Sequence, residues 1–453
     1  MLRKVAAGLA SLALVAMPVG LAQNSQAQQA PGDGAGTILI QNVRIFDGRH
    51  PTLSASSSVL IRGDVIERIS TGAIAGTTDT QVIDGGGRTL MPGLIDAHWH
   101  SMFVRPTPQQ LLTNDVGYTT LQAEVEATAT LMRGFTTVRD MGGPAFSLKR
   151  AIDEGLVVGP RIYPSGAMIT ITGGHGDFRQ LSELPRRQGQ LSHIEELGGA
   201  AIADGPDEVR MRAREQLMQG ASQVKLTAGG GVASPFSPLD VSTFTEGELQ
   251  AAVEAADNWG TYVAVHAYTP AAIQRAIKVG VKCIEHGHLM DEATAKMIAD
   301  HGVWLSTQPF VDMSLGAAMG PDEQAKLKEV VDGTDRMYRL VRKYHIKTAF
   351  GTDILFSSLL ASRQGNSLVD LTRWYTPAEA LIMATSTNGE LLRLSGPRNP
   401  YPRNLGVVEQ GAYADLIVVD GNPLEDIKLV ADPGRTFMVI IKDGKVYKDT
   451  LKS

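Results

Sequence analysis

Two histidines, two residues apart, close a short apolar run, Leu94-Ile95-Asp96-Ala97-His98-Trp99-His100, which Pro92-Gly93 introduces. In an extended strand, residues i and i+2 point the same way, so both imidazoles can grip one metal ion. Further along, Lys225, His266, His286 and Asp353 each stand at the end of an apolar run of their own. Neutral imidazole and carboxylate are the usual ligands of zinc, and a catalytic zinc keeps one position open for water. His98, His100 and Asp353 suffice for one ion, and His266 and His286 for a second. A lysine ammonium cannot bind metal. Desolvation lowers a lysine's pKa and populates the free amine, which can take up carbon dioxide as a carbamate. That anion has two oxygens, so an N6-carboxylated Lys225 can bridge two metals. The set reads as a two-metal hydrolytic site, with Zn2+ as the default divalent ion.

Such ligands need a frame that brings separated residues together. Residues 92–390 alternate strand-like and helix-like runs, with strand candidates at 94–98, 135–140, 161–168, 223–228, 262–267, 282–286, 303–308 and 347–352. Helical patterns such as Glu246–Asn258 and Pro270–Val279 separate them. This β-then-α order over about 300 residues predicts an α/β chain, a (β/α)8 TIM barrel whose site lies at the C-terminal strand ends. The ligand candidates all stand at such ends. Residues 37–91 and 391–453 read instead as short strands with Gly and Asp turns, among them the hairpin turn Lys442-Asp443-Gly444-Lys445. They predict a small β-sandwich flanking the barrel and made from both chain ends. The long connection 170–207 and the segment 309–322 are lid candidates.

At 453 residues the chain can bury a large core. Its formal net charge of −6 gives no reason to expect a nucleic-acid partner. Residues 1–27 read as a secretory signal, with Arg3 and Lys4 before an apolar stretch and small residues near Ala22 and Ala27. An uncleaved membrane anchor is the competing reading. Residues 28–36 follow as a flexible linker, so the protein is expected to be exported, to the periplasm or beyond. Cys283 is the only cysteine, which excludes an intrachain disulfide, and it reads as a small core residue.

The constellation and its flanking strands resemble the amidohydrolase superfamily over nearly all of the mature chain. The motifs are Asp96–His100, Lys225 in Val-Lys-Leu, His266 in Val-His-Ala-Tyr, His286 in Ile-Glu-His-Gly and Asp353 in Gly-Thr-Asp. Within the superfamily, Thr172–Gly176 (Thr-Gly-Gly-His-Gly) and His266–Tyr268 are similar to the group that hydrolyses Xaa-Pro, Xaa-Arg and Xaa-Lys dipeptides and N-acyl amino acids. Bacterial enzymes that cleave the phenylalanine amide of ochratoxin A belong to that group. The resemblance implies a metal-bridging hydroxide as nucleophile, with Asp353 as general base and then acid. It also implies an oxyanion contact from Tyr268 or His175, and Arg139 or a lid arginine on a substrate carboxylate. It further implies a small-molecule amide or dipeptide substrate and a homo-oligomer.

Blander readings stand beside these. His175 suits a plain loop residue, Tyr268 a packed aromatic, and Arg139-Asp140 a structural ion pair. His288 reads as a residue supporting His286. A deaminase commonly carries Glu three residues after the strand-five histidine, where this chain has Thr269. A cyclic-amide hydrolase shares both lysine and sandwich. A non-catalytic binding protein should have lost a ligand, and none is missing.

Overall fold

The computed structural model describes residues 36–186, 189–316 and 319–451. The expected signal segment and residues 28–35 of the linker lie outside the described residues. The described chain opens with β1 (Thr37–Ile45), β2 (Ser56–Arg62), β3 (Val65–Ser70), β4 (Thr80–Asp84) and β5 (Thr89–Pro92). The middle holds β6 (Leu94–Trp99), β7 (Phe135–Asp140), β8 (Arg161–Pro164), β9 (Met168–Thr170) and β10 (Ala200–Ile202). It continues with β11 (Val224–Thr227), β12 (Val263–Ala267), β13 (Cys283–His286), β14 (Trp304–Thr307) and β15 (Thr348–Phe350). Last come β16 (Leu416–Val419), β17 (Phe437–Lys442) and β18 (Lys445–Asp449).

Both ends of the described chain build one mixed sheet, in the order β18-β17-β16-β5-β1-β2-β3 with β4 beside β1. β16 runs antiparallel to β5, setting Leu416 opposite Pro92. The late strands thus pin the residues that lead straight into the first histidine pair. Ile40, Val59, Ile61, Leu90, Leu416 and Ile441 share one apolar cluster of this sheet.

The middle is α/β. β6, β7 and β8 form one parallel sheet, and β10-β9-β11-β12-β13-β14-β15 a second. Every residue of β6, β11, β12, β13 and β14 is buried, as parallel strands covered on both faces require. The covering helices bury one stripe each. In Pro270–Lys278 it is Ala272, Ile273, Ala276 and Ile277, the spacing of a helix lying on a sheet. Their starts follow from local chemistry. Thr245 and Glu248 cap Glu246–Asn258 reciprocally. Pro206, Pro270, Pro321 and Pro377 each open a helix in its first turn, where a missing N–H costs nothing.

Two expectations are corrected. The third strand, expected over 161–168, breaks at Ser165-Gly166-Ala167. Gly166 has φ 75°, and a Cβ there would collide with Gln216 and the Phe146 ring. β8 therefore stays in the first sheet and β9 joins the second. The connection 170–207 is not all loop either, because β10 pairs with β9, Ala200 opposite Met168. Hydrogen bonds tie the two sheets together. Ser222 N donates to Pro164 O at 2.8 Å, and Gln223 Nε2 donates to the carbonyls of Asp140 and Tyr163 at 3.0 and 2.9 Å. On the other side Asp353 N donates to His98 O at 2.9 Å. Among the described residues no helix is long and apolar enough to cross a membrane.

Candidate active site

The residues singled out by spacing meet in one cavity of about 110 Å³. His98, His100, Lys225, His266, His286 and Asp353 line it, with His175 and Tyr268. Phe103, Phe178, Phe310 and Phe356 make much of the remaining wall.

Each histidine is held by one ring nitrogen. His98 Nδ1 donates to Glu285 Oε2 at 2.8 Å, His100 Nδ1 to Gly142 O at 3.1 Å and His286 Nδ1 to Gln308 Oε1 at 2.8 Å. His266 uses its other nitrogen, Nε2 donating to Gly230 O at 2.8 Å. These bonds fix the tautomers and leave a lone pair on Nε2 of His98, His100 and His286 and on Nδ1 of His266. Asp353 Oδ1 lies 3.3 Å from His98 Nε2 and 3.2 Å from His100 Nε2. Ligand atoms of His98, His100 and Asp353 all fall within 4.8 Å of one another. The His266 and His286 rings stand 4.4 Å apart, and His286 is 4.9 Å from His98.

Charge and burial fit a cation at this point. Burial, reinforced by the Lys225 charge, holds His98, His266 and His286 well below the usual imidazole range. They stay neutral and able to ligate. Lys225 is buried, and burial lowers its pKa against the pull of Glu285 and Asp353. Its side chain makes no hydrogen bond or ion pair among the described residues. Burial thus favours the neutral amine at the cavity wall. His286 and Asp353 both have positive φ, 77° and 54°. Non-glycine residues rarely adopt that region, and such strain collects at functional sites.

Clearance around the first pair is minimal. A Cβ on Gly351 would lie 2.7 Å from the His98 backbone nitrogen. Gly351→Ala is therefore expected to push His98 off its position and lower bound metal and activity at least tenfold with the fold retained. Metal content beside far-UV circular dichroism checks this, and a fully metallated, active variant would contradict it.

His175 sits 4.2 Å from His266 ring to ring, and its Nδ1 bonds Ser234 Oγ at 2.7 Å. Burial, with Lys225 and His100 adding to it, pushes it down to about 3. Tyr268 packs edge-on to His266 at 4.9 Å, and burial raises its pKa, so it keeps its proton. His288 supports the site from behind. It stacks on Phe310 at 5.0 Å, its Nε2 donates to Gln308 O, and burial pushes it down to about 4.

Arg139 is not where a substrate carboxylate could reach it. It is fully buried below the cavity. Its Nε donates to Ala97 O at 2.6 Å, Nη1 to the Tyr262 hydroxyl at 3.1 Å and Nη2 to Glu285 Oε1 at 2.7 Å. Its ion pair is with Glu285 and not with Asp140. Asp140 accepts instead from Ser101 N and Gly142 N. Cys283 is a buried thiol 3.1 Å from Glu285 Oε1.

Glu285, Asp96 and Gln308 were missed by sequence reasoning. Glu285 orients His98. Asp96 accepts from His98 N, Thr352 N, Thr352 Oγ1 and Gln364 Nε2, holding the Gly351-Thr352-Asp353 turn against the first histidine pair. The available signal was a carboxylate inside an otherwise apolar strand, because a fully buried charge is rare without a partner.

The buried groups predict how stability depends on pH. His98, His175, His266, His286 and His288 all titrate below the ordinary 6.5. Below pH 6.5 the unfolded chain takes up protons that the folded chain refuses, so stability falls with pH. Asp96 and Asp140, raised by burial from 3.8 to about 6, act in the opposite sense between those values. Five imidazoles outweigh two carboxyls. After chelation, Tm should drop by several degrees from pH 7 to pH 5, and a flat or rising Tm contradicts this.

Residues 89–446 match the amidohydrolase family. An ochratoxinase of Aspergillus niger is 31% identical over 379 residues, covering 79% of this chain and 75% of that protein. A prolidase solved in complex with N-methylphosphonate-L-proline is 34% identical, covers 91% of this chain and 100% of its own, and superposes with a TM-score of 0.82. A Xaa-Pro dipeptidase with methionine bound in its active site is 30% identical, with the same coverage and a TM-score of 0.79.

Proposed function

The chain belongs to the amidohydrolase family, and we propose that its reaction is hydrolysis of the amide bond of N-acyl amino acids or dipeptides. Its similarity to the ochratoxinase supports ochratoxin A, cleaved to release phenylalanine, as one substrate. The observation that carries the reading is the single cavity in which Asp353 meets both histidines of the first pair, with the second pair and Lys225 alongside.

His98, His100 and Asp353 would hold one divalent ion, and His266 and His286 a second. An N6-carboxylated Lys225 would bridge them, and zinc suits these donors. When bound, the ions supply a lowered pKa for water and a polarised substrate carbonyl. This chain's own groups do the rest. Asp353 takes the proton of the attacking water as its oxygen bonds to the carbonyl carbon. The Tyr268 hydroxyl, or the neutral His175 ring that also packs against His266, donates to the developing oxyanion. Asp353 then returns the proton to the leaving nitrogen as the C–N bond breaks.

The finer architecture follows the same reading. The two parallel sheets, tied at both junctions, close into the (β/α)8 barrel over 92–390. The mixed sheet of 37–91 and 391–453 folds into the flanking sandwich. Residues 1–27 act as a signal for export, and the mature protein assembles as a homo-oligomer. A cyclic-amide hydrolase and a deaminase on the same fold are less supported.

The test is product analysis on N-acyl amino acids, Xaa-Pro dipeptides, ochratoxin A and a cyclic amide. Release of a free amino acid from the linear amides is expected. Turnover of the cyclic amide alone, or release of ammonia alone, would overturn the reading.

A further inference from the structure

A second cleft, of about 250 Å³, adjoins the metal cavity. Phe310 and Leu360 line both. Thr352 and Ile354, on either side of Asp353, also line the second cleft. The cavity at the ligands, about 110 Å³, is small beside the roughly 300 Å³ or more of ordinary small-molecule sites. Parts of a substrate or product must therefore extend beyond it.

The second cleft carries both signs of charge, unpaired. Arg363 and Asp370 line it, yet among the described residues neither side chain makes a hydrogen bond or ion pair. Asp312 faces the same space and has accepted one bond, from Ser314 N at 2.8 Å. Burial and the nearby Asp312 charge raise the Asp370 carboxyl, a repulsion that a cation between them would relieve. Gln308 belongs to the same wall and is fully buried. Its Oε1 holds His286, while its Nε2 has no acceptor. Buried donors are ordinarily satisfied. A cation and carboxylates that share a cleft without pairing suit a ligand carrying both charges.

We propose that this cleft binds a free α-amino acid as its zwitterion, its ammonium against Asp312 and Asp370 and its carboxylate against Arg363. Gln308 stands in the wall between this cleft and His286, which its Oε1 holds. Only the origin of the occupant, the amino acid released by hydrolysis, rests on the function proposed above.

Calorimetric titration of the metal-loaded full chain with L-phenylalanine tests it, beside phenethylamine and 3-phenylpropionate, which each lack one charge. L-phenylalanine should bind. Both analogues should bind at least tenfold more weakly, and Arg363→Gln and Asp370→Asn should each weaken L-phenylalanine at least tenfold. No binding, equal binding of an analogue, or binding unchanged in both variants overturns the proposal; the last result puts the amino acid in the metal cavity. The readout needs no turnover. A chain that binds as expected but cleaves no amide would sink the proposed function alone. One that cleaves amides without this binding would sink the cleft alone.

Discussion

Asp353→Asn should lower kcat on an N-acyl amino acid by about 10²- to 10⁴-fold, the range of a positioned acid–base group. KM should change far less. An asparagine keeps the size of the side chain and can still offer an oxygen to a metal, but it cannot take a proton from water and return it to the leaving nitrogen. The carboxylate has no substitute in the cavity. Tyr268 is held protonated by burial, and His175 is pushed down to about 3, which makes it a poor base at neutral pH. The positive φ at Asp353, 54°, is tolerated better by Asn than by most residues, so the loss should not come from misfolding. Steady-state kinetics with metal content measured on the same preparation checks this. A kcat within tenfold of the parent at equal metal loading would remove Asp353 from the chemistry.

Arg139→Met should be the most destabilising single change near the site, by about 3–5 kcal/mol, the usual cost of breaking a buried ion pair from one side. Glu285 would be left at zero exposure without its guanidinium partner, hydrogen-bonded to the His98 ring and the Cys283 thiol. Arg139→Lys should recover only part of the loss. A point charge cannot serve Ala97 O, Tyr262 and Glu285 together as the guanidinium does. The double variant Arg139→Met/Glu285→Leu separates the two roles of the pair. It removes the stranded charge, so stability should rise above that of Arg139→Met. It also frees His98 Nδ1, so metal affinity should fall by about 10- to 100-fold. Denaturant unfolding beside metal titration reads both. A double variant less stable than Arg139→Met would show that the pair's worth is not electrostatic.

The clustering of the candidate ligands was legible because histidine and carboxylate are types that metals select and most of them stand at or near the end of an apolar run. His266 and His286 follow that rule at or next to the ends of β12 and β13, whereas Lys225 stands second in the four-residue β11 and not at its end. The strand–helix alternation was legible for the same reason, since strands buried on both faces read as apolar runs. The break at Gly166 was not. It depends on contacts with Gln216 and Phe146, far along the chain, and a glycine in an apolar run does not reveal which turn it makes. β10 was missed because three apolar residues, Ala200–Ile202, are too few to carry a period. Arg139 was misjudged because a strand end can direct a side chain into the frame as readily as toward a ligand. Only the positions of Glu285, Tyr262 and Ala97 decide between them. The supporting carboxylates, Asp96 and Glu285, act through partners on other strands, which spacing along the chain cannot show.

The proposed reaction depends on a two-metal site built around Lys225. Metal content per chain, measured on the purified parent and on Lys225→Ala, decides whether that site exists. About two divalent ions are expected in the parent, clearly fewer in the variant, and amide hydrolysis lost with them. One ion per chain, unchanged by the substitution, would contradict the bridged pair, and no ion in the parent, after controls for stripping, would contradict metal-dependent hydrolysis altogether.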